Sequence, residues 1–254
     1  MRVKLVVAYD GTVYHGWQLQ KNGNTIEAEL NKHLSALLQE EIQVIGASRT
    51  DSGVHALCNV AVFDTNTRMP AEKISYALNQ RLPEDIRIQN SCQVADDFHP
   101  RKCKSVKTYE YKIYRGEFPM PTERLYAHFT YVPLNVERMR EAAAYLEGEH
   151  DFKSFCSMDS QAESTVRTIY KVNMIEDGSL LKIQVSGNGF LYNMVRILVG
   201  TLIEFGREKY PAEHMKEILS GCDRQLAGPT MPARGLMLIR YDFWEESIDT
   251  AGSV

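Results

Sequence analysis

The sequence predicts an α+β fold of two domains, each with an antiparallel sheet that carries helices on one face. Segments with the two-residue period of strands alternate with segments that have the 3.6-residue period of helices. In the first half their order is strand, helix, strand, strand, helix, strand, and a similar order recurs in the second half. Because the two halves share negligible sequence identity, the repeat is one of architecture, and it favours two sheets side by side.

The first half opens with residues 2–9, which alternate loosely and are rich in β-forming side chains, as is typical of a strand. Thr25 is the predicted N-cap of a helix over 26–38, in which apolar residues recur every three or four positions. The other predicted elements of this half are strands over 42–45, 57–63 and 86–94, and a helix over 71–82 that stops before Pro83.

The second half begins with alternating residues over 108–115, which predict a strand. Strands over 166–175 and 180–185 flank the turn Glu176–Ser179, which is a hairpin signal. The remaining predicted elements are helices over 135–146, 188–205 and 212–219 and a closing strand over 235–243. We therefore predict an N-terminal domain over 1–104, a C-terminal domain over 105–244 and an acidic tail over 245–254.

Composition argues against several classes of protein. The 254 residues are 44% hydrophobic, and no apolar run approaches the roughly 20 residues of a membrane span. Since no signal-peptide pattern is present, we expect a cytoplasmic protein. The five cysteines are scattered and form no CxxC pair, so we expect reduced thiols and no metal site. Complete motifs for ATP or dinucleotide binding are also absent, and we expect no cofactor.

The net charge of −4 counts against nucleic-acid binding, but the charges are unevenly spread. In the basic segment, residues 98–115, six bases are opposed by one acid, Glu110. The bases are Arg101, Lys102, Lys104, Lys107, Lys112 and Arg115. This segment is either a path for RNA phosphates or an ordinary solvated face, and the pattern alone leaves both open.

The stretch Gly46–Ala56, GASRTDSGVHA, is more polar than a turn between two apolar strands requires. A carboxylate can act as a nucleophile when it is ionised and held in place, and a nearby cation favours the ionised form. Asp51 is therefore the candidate nucleophile, and Arg49 is a candidate for the cation. The alternative is an aspartate that caps its own turn, with Arg49 in a surface ion pair.

Two residues of the second half extend the candidate chemistry. Tyr109 lies within the basic segment, where a ring beside cations suits stacking on a nucleic-acid base. The alternative for Tyr109 is an aromatic residue in the core of a strand. Arg196 lies in an apolar helical segment, where its burial is costly without an anionic partner such as Asp51. The alternative for Arg196 is a position at the helix edge, with its charge in solvent.

Several stretches of the sequence, in order, resemble one family over nearly the whole chain. RTDSGVHA is similar to the RTDxGVHA signature around the catalytic aspartate of the tRNA pseudouridine synthases of the TruA type. Other stretches that resemble this family are YDGTVYHGWQLQ, FHPRKCKSVKTYEYKIY, EGEHDFKSF, TVRTIY, GNGFLYNMVRILVG and ARGLMLIRYDF. Their number and order make the resemblance specific.

The resemblance implies a fold and an activity. The fold is two α+β domains of ferredoxin or RNA-recognition type, with antiparallel sheets joined side by side around a basic central cleft. The expected protein is a homodimer that holds tRNA across both subunits. The expected reaction is the isomerisation of uridine to pseudouridine at positions 38–40 of the anticodon stem-loop, without a cofactor or a metal.

The resemblance also implies roles for individual residues. Asp51 would be the nucleophile, and Arg196 would pair with it. Tyr109 would stack on the flipped uracil and could take the C5 proton, while Arg49 would help to extrude the base. The residues that match tRNA-contacting segments of the family are Phe98, His99, Arg101, Lys102, Ser164, Thr165, Arg167 and Thr168. We add Lys104 and Lys107 because they continue the basic segment.

Two other functions are compatible with parts of this pattern. A protein that only binds RNA needs cations and aromatic rings, but it has no need for Asp51, Tyr109 and Arg196 together. A hydrolase of small substrates with an aspartate nucleophile has no use for the basic segment. Both are therefore less favoured than a tRNA-uridine isomerase.

Overall fold

The computed structural model of the protein describes residues 1–157 and 163–244. The chain divides into two compact units, which are Met1–Ser105 with the chain from Leu238 onward, and Val106–Met237. Both units contain helices and strands, which confirms the predicted α+β class. The domain boundaries stay a prediction, and the acidic tail predicted over 245–254 lies outside the described residues.

The elements follow the chain as two mixed sets. The first unit contains β1 (Arg2–Tyr9), α1 (Ile26–Leu38), β2 (Ile45–Gly46), β3 (His55–Asp64), α2 (Ala71–Asn79) and β4 (Ile86–Val94). Then come β5 (Ser105–Arg115), β6 (His128–Thr130), α3 (Val136–Ala144), β7 (Gly148–Asp151), β8 (Val166–Asp177), β9 (Leu180–Gly187), α4 (Met194–Gly206), α5 (His214–Gly221) and β10 (Leu236–Phe243). Short 3-10 helices span Pro121–Glu123, Lys153–Phe155, Arg224–Leu226 and Ala233–Gly235. None of the described helices is both long and apolar enough to cross a membrane.

Each unit has its own arrangement of strands. In the first unit β1 is antiparallel to β4 on one side and to β3 on the other, and β3 also pairs with β2 and β10. In the second unit β9 is antiparallel to β5 and β8, β7 pairs with β8, and β6 runs parallel to β5. Alternate residues of β1, namely Val3, Leu5 and Val7, are completely buried, as the two-residue period predicts.

Helix α1 forms where the sequence predicts it, because its cap and its apolar face agree. The Thr25 hydroxyl accepts a hydrogen bond from the Ala28 amide at 3.3 Å, which satisfies one of the free donors of the first turn. Ile26, Leu30 and Leu34 form the fully buried face of the helix. The helix ends at Leu38, and Gln39 takes a left-handed conformation with φ of 55°.

The strand predicted over 42–45 is wrong for most of its length, since only Ile45–Gly46 is strand. Side chains of α1 bind the backbone that a neighbouring strand would otherwise bind. The Ile42 amide donates to Ser35 Oγ at 2.9 Å, and the Val44 amide donates to Asn31 Oδ1 at 2.8 Å. Ser and Asn side chains can replace a backbone partner in this way, and apolar patterning does not reveal it.

The helix predicted over 188–205 begins only at Met194. The Asn188 amide donates to the Thr168 carbonyl at 3.1 Å, and Asn193 has φ of 60°, so the chain before the helix follows a non-helical path. The other three predicted helix ranges differ from the observed ones by one to three residues at one or both ends. The short strands β6 and β7 were not predicted, because three or four residues carry too little periodicity.

Helix α4 is packed backbone to backbone against the segment 228–231. The Gly228 amide donates to Thr201 Oγ1 at 2.9 Å. A Cβ atom on Gly228 would lie 2.7 Å from the Gly200 carbonyl oxygen, and one on Gly200 would overlap the Pro229 carbonyl oxygen. This close approach, which only glycine allows, places the Met231 backbone beside the first turn of α4.

We expect Gly200→Ala to lower the free energy of unfolding by about 2 kcal/mol, because the added methyl group forces the segment at Pro229 away from the helix. The sign is diagnostic, since alanine in a helix is otherwise more favourable than glycine. Urea denaturation provides the measurement. Gly189→Ala is the control, because a Cβ atom there would come no nearer than 3.8 Å to another residue's atoms. A Gly200→Ala variant as stable as the unmodified protein would contradict the packing described for α4.

Candidate functional site

The loop 47–54 between β2 and β3 alternates between buried and accessible residues. Ser48 and Thr50 are 5% and 6% exposed, whereas Arg49 is exposed and Asp51 is half-buried. The loop therefore directs one pair of side chains into the first unit and leaves the other pair accessible. Both residues that the sequence singled out as chemical candidates in this loop belong to the accessible pair.

Asn59 on β3 holds the inner side of this loop. Its Oδ1 accepts from the Ser48 amide at 3.2 Å, and its Nδ2 donates to the Ser48 carbonyl at 2.9 Å. The same side chain accepts from the Val60 amide at 2.9 Å and donates to the Tyr9 hydroxyl at 3.2 Å. Asn59 is completely buried, and its amide group uses both donors and both lone pairs.

Tyr9 on β1 extends this network to Thr50. The two hydroxyl groups are 2.7 Å apart and share a hydrogen bond. Burial raises the pKa of Tyr9 far above the ordinary tyrosine value, while its hydrogen bonds to Thr50 and Asn59 oppose the shift. The phenol therefore remains protonated at any physiological pH, and its hydroxyl stays available for the hydrogen bond that it shares with Thr50.

Backbone groups of residues 14–17 form hydrogen bonds with backbone groups of the loop 47–54. The Trp17 amide donates to the Thr50 carbonyl at 3.0 Å, and the Gly53 amide donates to the Tyr14 carbonyl at 3.2 Å. Gly16 has φ of +84°, and a Cβ atom there would lie 2.6 Å from the Thr50 carbonyl oxygen. A glycine is therefore needed at this close approach. Asp51 thus lies on a loop whose backbone is restrained by several contacts.

His55, at the end of the loop, has a structural setting. It is 1% exposed, and its Nδ1 lies 3.1 Å from both the Gly11 amide nitrogen and Asp10 Oδ1. Within the described residues, no group of three or more His, Cys, Asp or Glu side chains could hold a metal ion.

Tyr109 lies on β5 of the second unit and is 8% exposed. Its ring meets the Phe190 ring edge to face, with centroids 5.2 Å apart at an interplanar angle of 85°. The alternation of β5 places Tyr109, Tyr111 and Ile113 on one buried face. Glu110 is also buried and accepts a hydrogen bond from Gln184 at 2.9 Å. Tyr109 and Glu110 therefore each keep a small accessible fraction, 8% of the residue surface.

Arg196 lies in the first turn of α4 and is half-buried. Its Nε donates to the Met231 carbonyl at 2.6 Å, and its Nη1 donates to Asn193 Oδ1 at 2.6 Å. Asn193 in turn donates to Ser157 Oγ at 2.9 Å. The Arg196 guanidinium is thus oriented by Asn193, the left-handed residue before α4, and by Met231 in the segment 228–231 that packs on Gly200.

The predicted RNA-contacting residues 164–168 of the second unit lie at the start of β8. Arg167 Nη1 donates to the carbonyls of Ser164 and Val166 at 2.9 and 2.6 Å. The Thr168 amide donates to Asn188 Oδ1 at 3.0 Å, and the Thr165 carbonyl accepts from the Phe152 amide at 3.0 Å. Burial lowers the pKa of Arg167, but an arginine stays charged at neutral pH.

The basic segment begins in the first unit with one residue anchored in the core. Phe98 is half-buried and packs against Phe243, with ring centroids 5.4 Å apart. The His99 carbonyl accepts from the Lys102 amide at 2.9 Å, which forms a turn after Phe98. Arg101, Lys102 and Lys104 are exposed, whereas Lys107 on β5 is half-buried.

The candidate residues are therefore distributed over both units. The first unit carries Arg49, Asp51 and the stretch 98–104, and the second unit carries Lys107, Tyr109, Arg196 and the stretch 164–168. The roles that the sequence analysis assigned to them stay predictions.

Sequence reasoning missed the residues that support these candidates, above all Tyr9, Asn59 and Asn193. Asn59 did leave a signal, because an amide between Cys58 and Val60 interrupts an otherwise apolar strand. A buried amide is costly unless it is hydrogen-bonded, so its presence in such a strand indicates a buried polar network. Asn193 left a weaker signal, since asparagine is among the residues that tolerate a left-handed conformation.

Comparison with known proteins gives one consistent family. A sequence model of the family described as tRNA pseudouridine synthase matches residues 5–101 and 142–243. The chain is 48% identical over 238 residues to a tRNA pseudouridine synthase A from Thermoanaerobacter sp. (strain X514), a match that covers 94% of this chain and 98% of the relative.

Two further relatives agree with that match. A tRNA pseudouridine synthase A from Syntrophomonas wolfei is 44% identical over 246 residues, which are 97% of this chain and 99% of the relative. A protein from Clostridium perfringens named tRNA pseudouridine synthase A 2 is 45% identical over 236 residues, which are 93% of this chain and 97% of the relative.

The raised pKa of Tyr9 predicts a pH dependence of stability. Because the folded state holds the phenol proton more tightly than the unfolded chain, this contribution is fully present below about pH 10, the ordinary tyrosine pKa. Above that pH the contribution is lost, by up to about 1.4 kcal/mol per pH unit. We therefore expect the stability advantage of the unmodified protein over Tyr9→Phe to shrink as the pH rises from about 9.5 to about 11, a range that includes the ordinary tyrosine pKa.

Urea denaturation across this pH range is the measurement. Tyr76→Phe is the control, because it removes the same hydroxyl group from a residue that is 71% exposed. The stability difference between the unmodified protein and this control should be independent of pH. A Tyr9→Phe difference that stays constant or grows with pH would show that the phenol is not held protonated in the folded protein.

Proposed function

The chain belongs to the tRNA pseudouridine synthase family, whose members are isomerases, and on this premise we propose that it converts uridine to pseudouridine at positions 38–40 of the tRNA anticodon stem-loop. The observation that carries the proposal is the structure of the loop 47–54. Hydrogen bonds from neighbouring residues restrain its backbone, and Asp51 remains accessible. An isomerisation within one nucleotide needs a nucleophile and a pocket for the base, and it needs no second substrate.

We propose Asp51 as the nucleophile. The reaction breaks the N1–C1′ glycosidic bond and forms a C5–C1′ bond, after which C5 loses its proton. A carboxylate can form a transient covalent bond either to C1′ or to the uracil ring, and so divide one difficult step into two easier ones. The uracil is released, turned and rejoined through C5, and the carboxylate is regenerated. The half-buried position of Asp51 supports this role, since the residue is accessible and the backbone of its loop is restrained.

Three further residues have proposed roles around the uracil. Arg196 pairs with Asp51 and favours its ionised form, a role supported by the two hydrogen bonds that orient its guanidinium. Tyr109 stacks on the flipped base and takes the C5 proton while it passes its own phenolic proton to solvent, and its edge-to-face packing on Phe190 supports a fixed ring position. Arg49, which is exposed on the nucleophile's loop, helps to extrude the base and hold the backbone.

We propose that cations hold the tRNA backbone independently of sequence. Exposed Arg101, Lys102 and Lys104 supply charge in the first unit, and Arg167 supplies charge in the second. On the family premise we also propose two RNA-recognition-like sheets joined around a basic cleft, a homodimer that holds tRNA across both subunits, and a cytoplasmic location. The accessible cations support an RNA partner despite the net charge of −4.

We expect Asp51→Asn to abolish the release of tritium from tRNA that carries [5-³H]uridine, with a loss of at least about 1,000-fold in rate. The amide keeps the size of the side chain but cannot form the covalent bond. Binding of tRNA, measured by filter retention, should change by less than about threefold, because the phosphate contacts lie elsewhere.

Glu84→Gln is the matched control, because it removes one exposed carboxylate from the same unit. Its tritium release should equal that of the unmodified protein. Undiminished turnover by Asp51→Asn would remove Asp51 as the nucleophile. Absence of tritium release by the unmodified protein would instead reject the proposed activity itself.

We expect the double variant Lys102→Glu, Lys104→Glu to weaken tRNA binding and to make it less dependent on salt. Each lost phosphate contact lowers the slope of log K against log salt concentration by about 1, so two contacts lower it by about 2. Binding is measured between 50 and 200 mM KCl, a range over which proteins with several phosphate contacts lose roughly 1,000-fold or more in affinity.

Lys32→Glu with Lys73→Glu is the control, because it makes the same change of charge at exposed positions on α1 and α2. This control separates a local phosphate contact from a general effect of net charge. Equal slopes for both double variants would exclude Lys102 and Lys104 from the RNA path.

A further inference from the structure

We propose that Asn59 is a positioning residue for catalysis, which sets the location of Asp51 by fixing the peptide groups of Ser48 from within the first unit. This inference rests on the proposed role of Asp51 as the nucleophile. Asn59 itself is completely buried and so acts on the reaction only through the loop that it holds.

An amide side chain is costly to place in strand β3. Val60 is 3% exposed and Ala61 is fully buried, so Asn59 lies in apolar surroundings. Burial of an amide without partners is strongly unfavourable, and an apolar side chain would fill the same space without that cost. Asn59 is tolerated because all four of its hydrogen-bonding positions are used. Two of these four hydrogen bonds are made with one loop residue, Ser48.

Ser48 depends on Asn59 for the hydrogen bonds of both its backbone groups. The Ser48 amide and carbonyl both bind Asn59, at 3.2 and 2.9 Å. Its own hydroxyl oxygen is buried and makes no hydrogen bond within the described part of the chain. Ser48 is therefore held through its backbone, and the side chain of Asn59 supplies the partner for both backbone groups.

The hydrogen bonds of Asn59 also restrain the residue next to Asp51. Asn59 also donates to Tyr9, whose hydroxyl shares a hydrogen bond with Thr50, the residue before Asp51. Restraint at residues 48 and 50 leaves little freedom for the backbone that carries Asp51. A misplacement of a reacting group by about 1 Å can cost 100-fold in rate, so loosening this loop should slow the chemical step.

The chain contains a matched clamp that does not touch the loop. Asn79 at the end of α2 holds Ile88 on β4 in the same way, since its Nδ2 donates to the Ile88 carbonyl at 2.8 Å. The Ile88 amide donates back to Asn79 Oδ1 at 2.7 Å. Replacement of Asn79 removes two hydrogen bonds of the same kind from the same unit. It leaves the contacts of Ser48 intact.

The experiment compares Asn59→Leu with Asn79→Leu under conditions where circular dichroism shows both to be folded. The single-turnover rate of tritium release is measured at saturating enzyme, and the Kd for tRNA is measured separately. For Asn59→Leu we expect a rate lower by about 30-fold or more with a Kd within about threefold of the unmodified protein. For Asn79→Leu we expect a rate within about twofold, whatever its loss of stability.

A purely structural role for Asn59 would leave the rate of the folded enzyme unchanged. Equal rates for the two leucine variants would therefore overturn the inference. If Asn59→Leu does not fold, Tyr9→Phe decides, because it removes one hydroxyl and so frees both Thr50 and one of the two amide donors of Asn59. A loss of about threefold or more in its single-turnover rate at unchanged Kd supports the inference, and an unchanged rate overturns it.

Asp51→Asn and the unmodified enzyme are assayed alongside to separate the two proposals. An inactive unmodified enzyme, or an active Asp51→Asn, means that the proposed function has failed. An active unmodified enzyme with an inactive Asp51→Asn and a fully active Asn59→Leu means that only the positioning role has failed.

Discussion

The two-sided hydrogen bonding of the Ser48 peptide groups by the buried Asn59 amide is the interaction on which the candidate site depends. It attaches an accessible loop to the centre of β3, with amide contacts at 3.2 and 2.9 Å. Hydrogen bonds in apolar surroundings are stronger than those in water, and water cannot easily replace them. The loop can therefore be polar and still be well ordered, a combination that a nucleophile on a loop requires.

The second unit meets a similar requirement by different means. Arg196 is oriented by the Met231 carbonyl, and Met231 is in place because Gly200 and Gly228 let two backbones approach closely. The left-handed Asn193 supplies the other partner of the guanidinium. In both units, then, a charged residue lies on a segment that backbone groups and an asparagine side chain hold in place, and such partners change position less easily than exposed side chains.

The distribution of charge explains how an acidic chain can suit an anionic partner. The net charge of −4 describes the whole chain, but binding depends on the local potential at the surface. Exposed Arg101, Lys102 and Lys104 follow directly after Phe98, whose ring is anchored against Phe243. The anchor fixes the start of the cationic stretch on the surface, so that the cations stand at a defined place.

The sequence by itself determined the α+β class, the capped helix α1, most strands and the identity of the candidate residues, because these follow from local periodicity, capping and short motifs. Only the tertiary structure decided where those patterns stop. Residues 42–44 are not strand because Ser35 and Asn31 bind their backbone, and residues 188–193 are not helix because Asn188 and Asn193 bind elsewhere. The partners of Asn59 were equally out of reach, since Ser48 and Tyr9 lie 11 and 50 positions away. Contacts between distant residues depend on the packing of the whole unit, and local patterns do not contain that information.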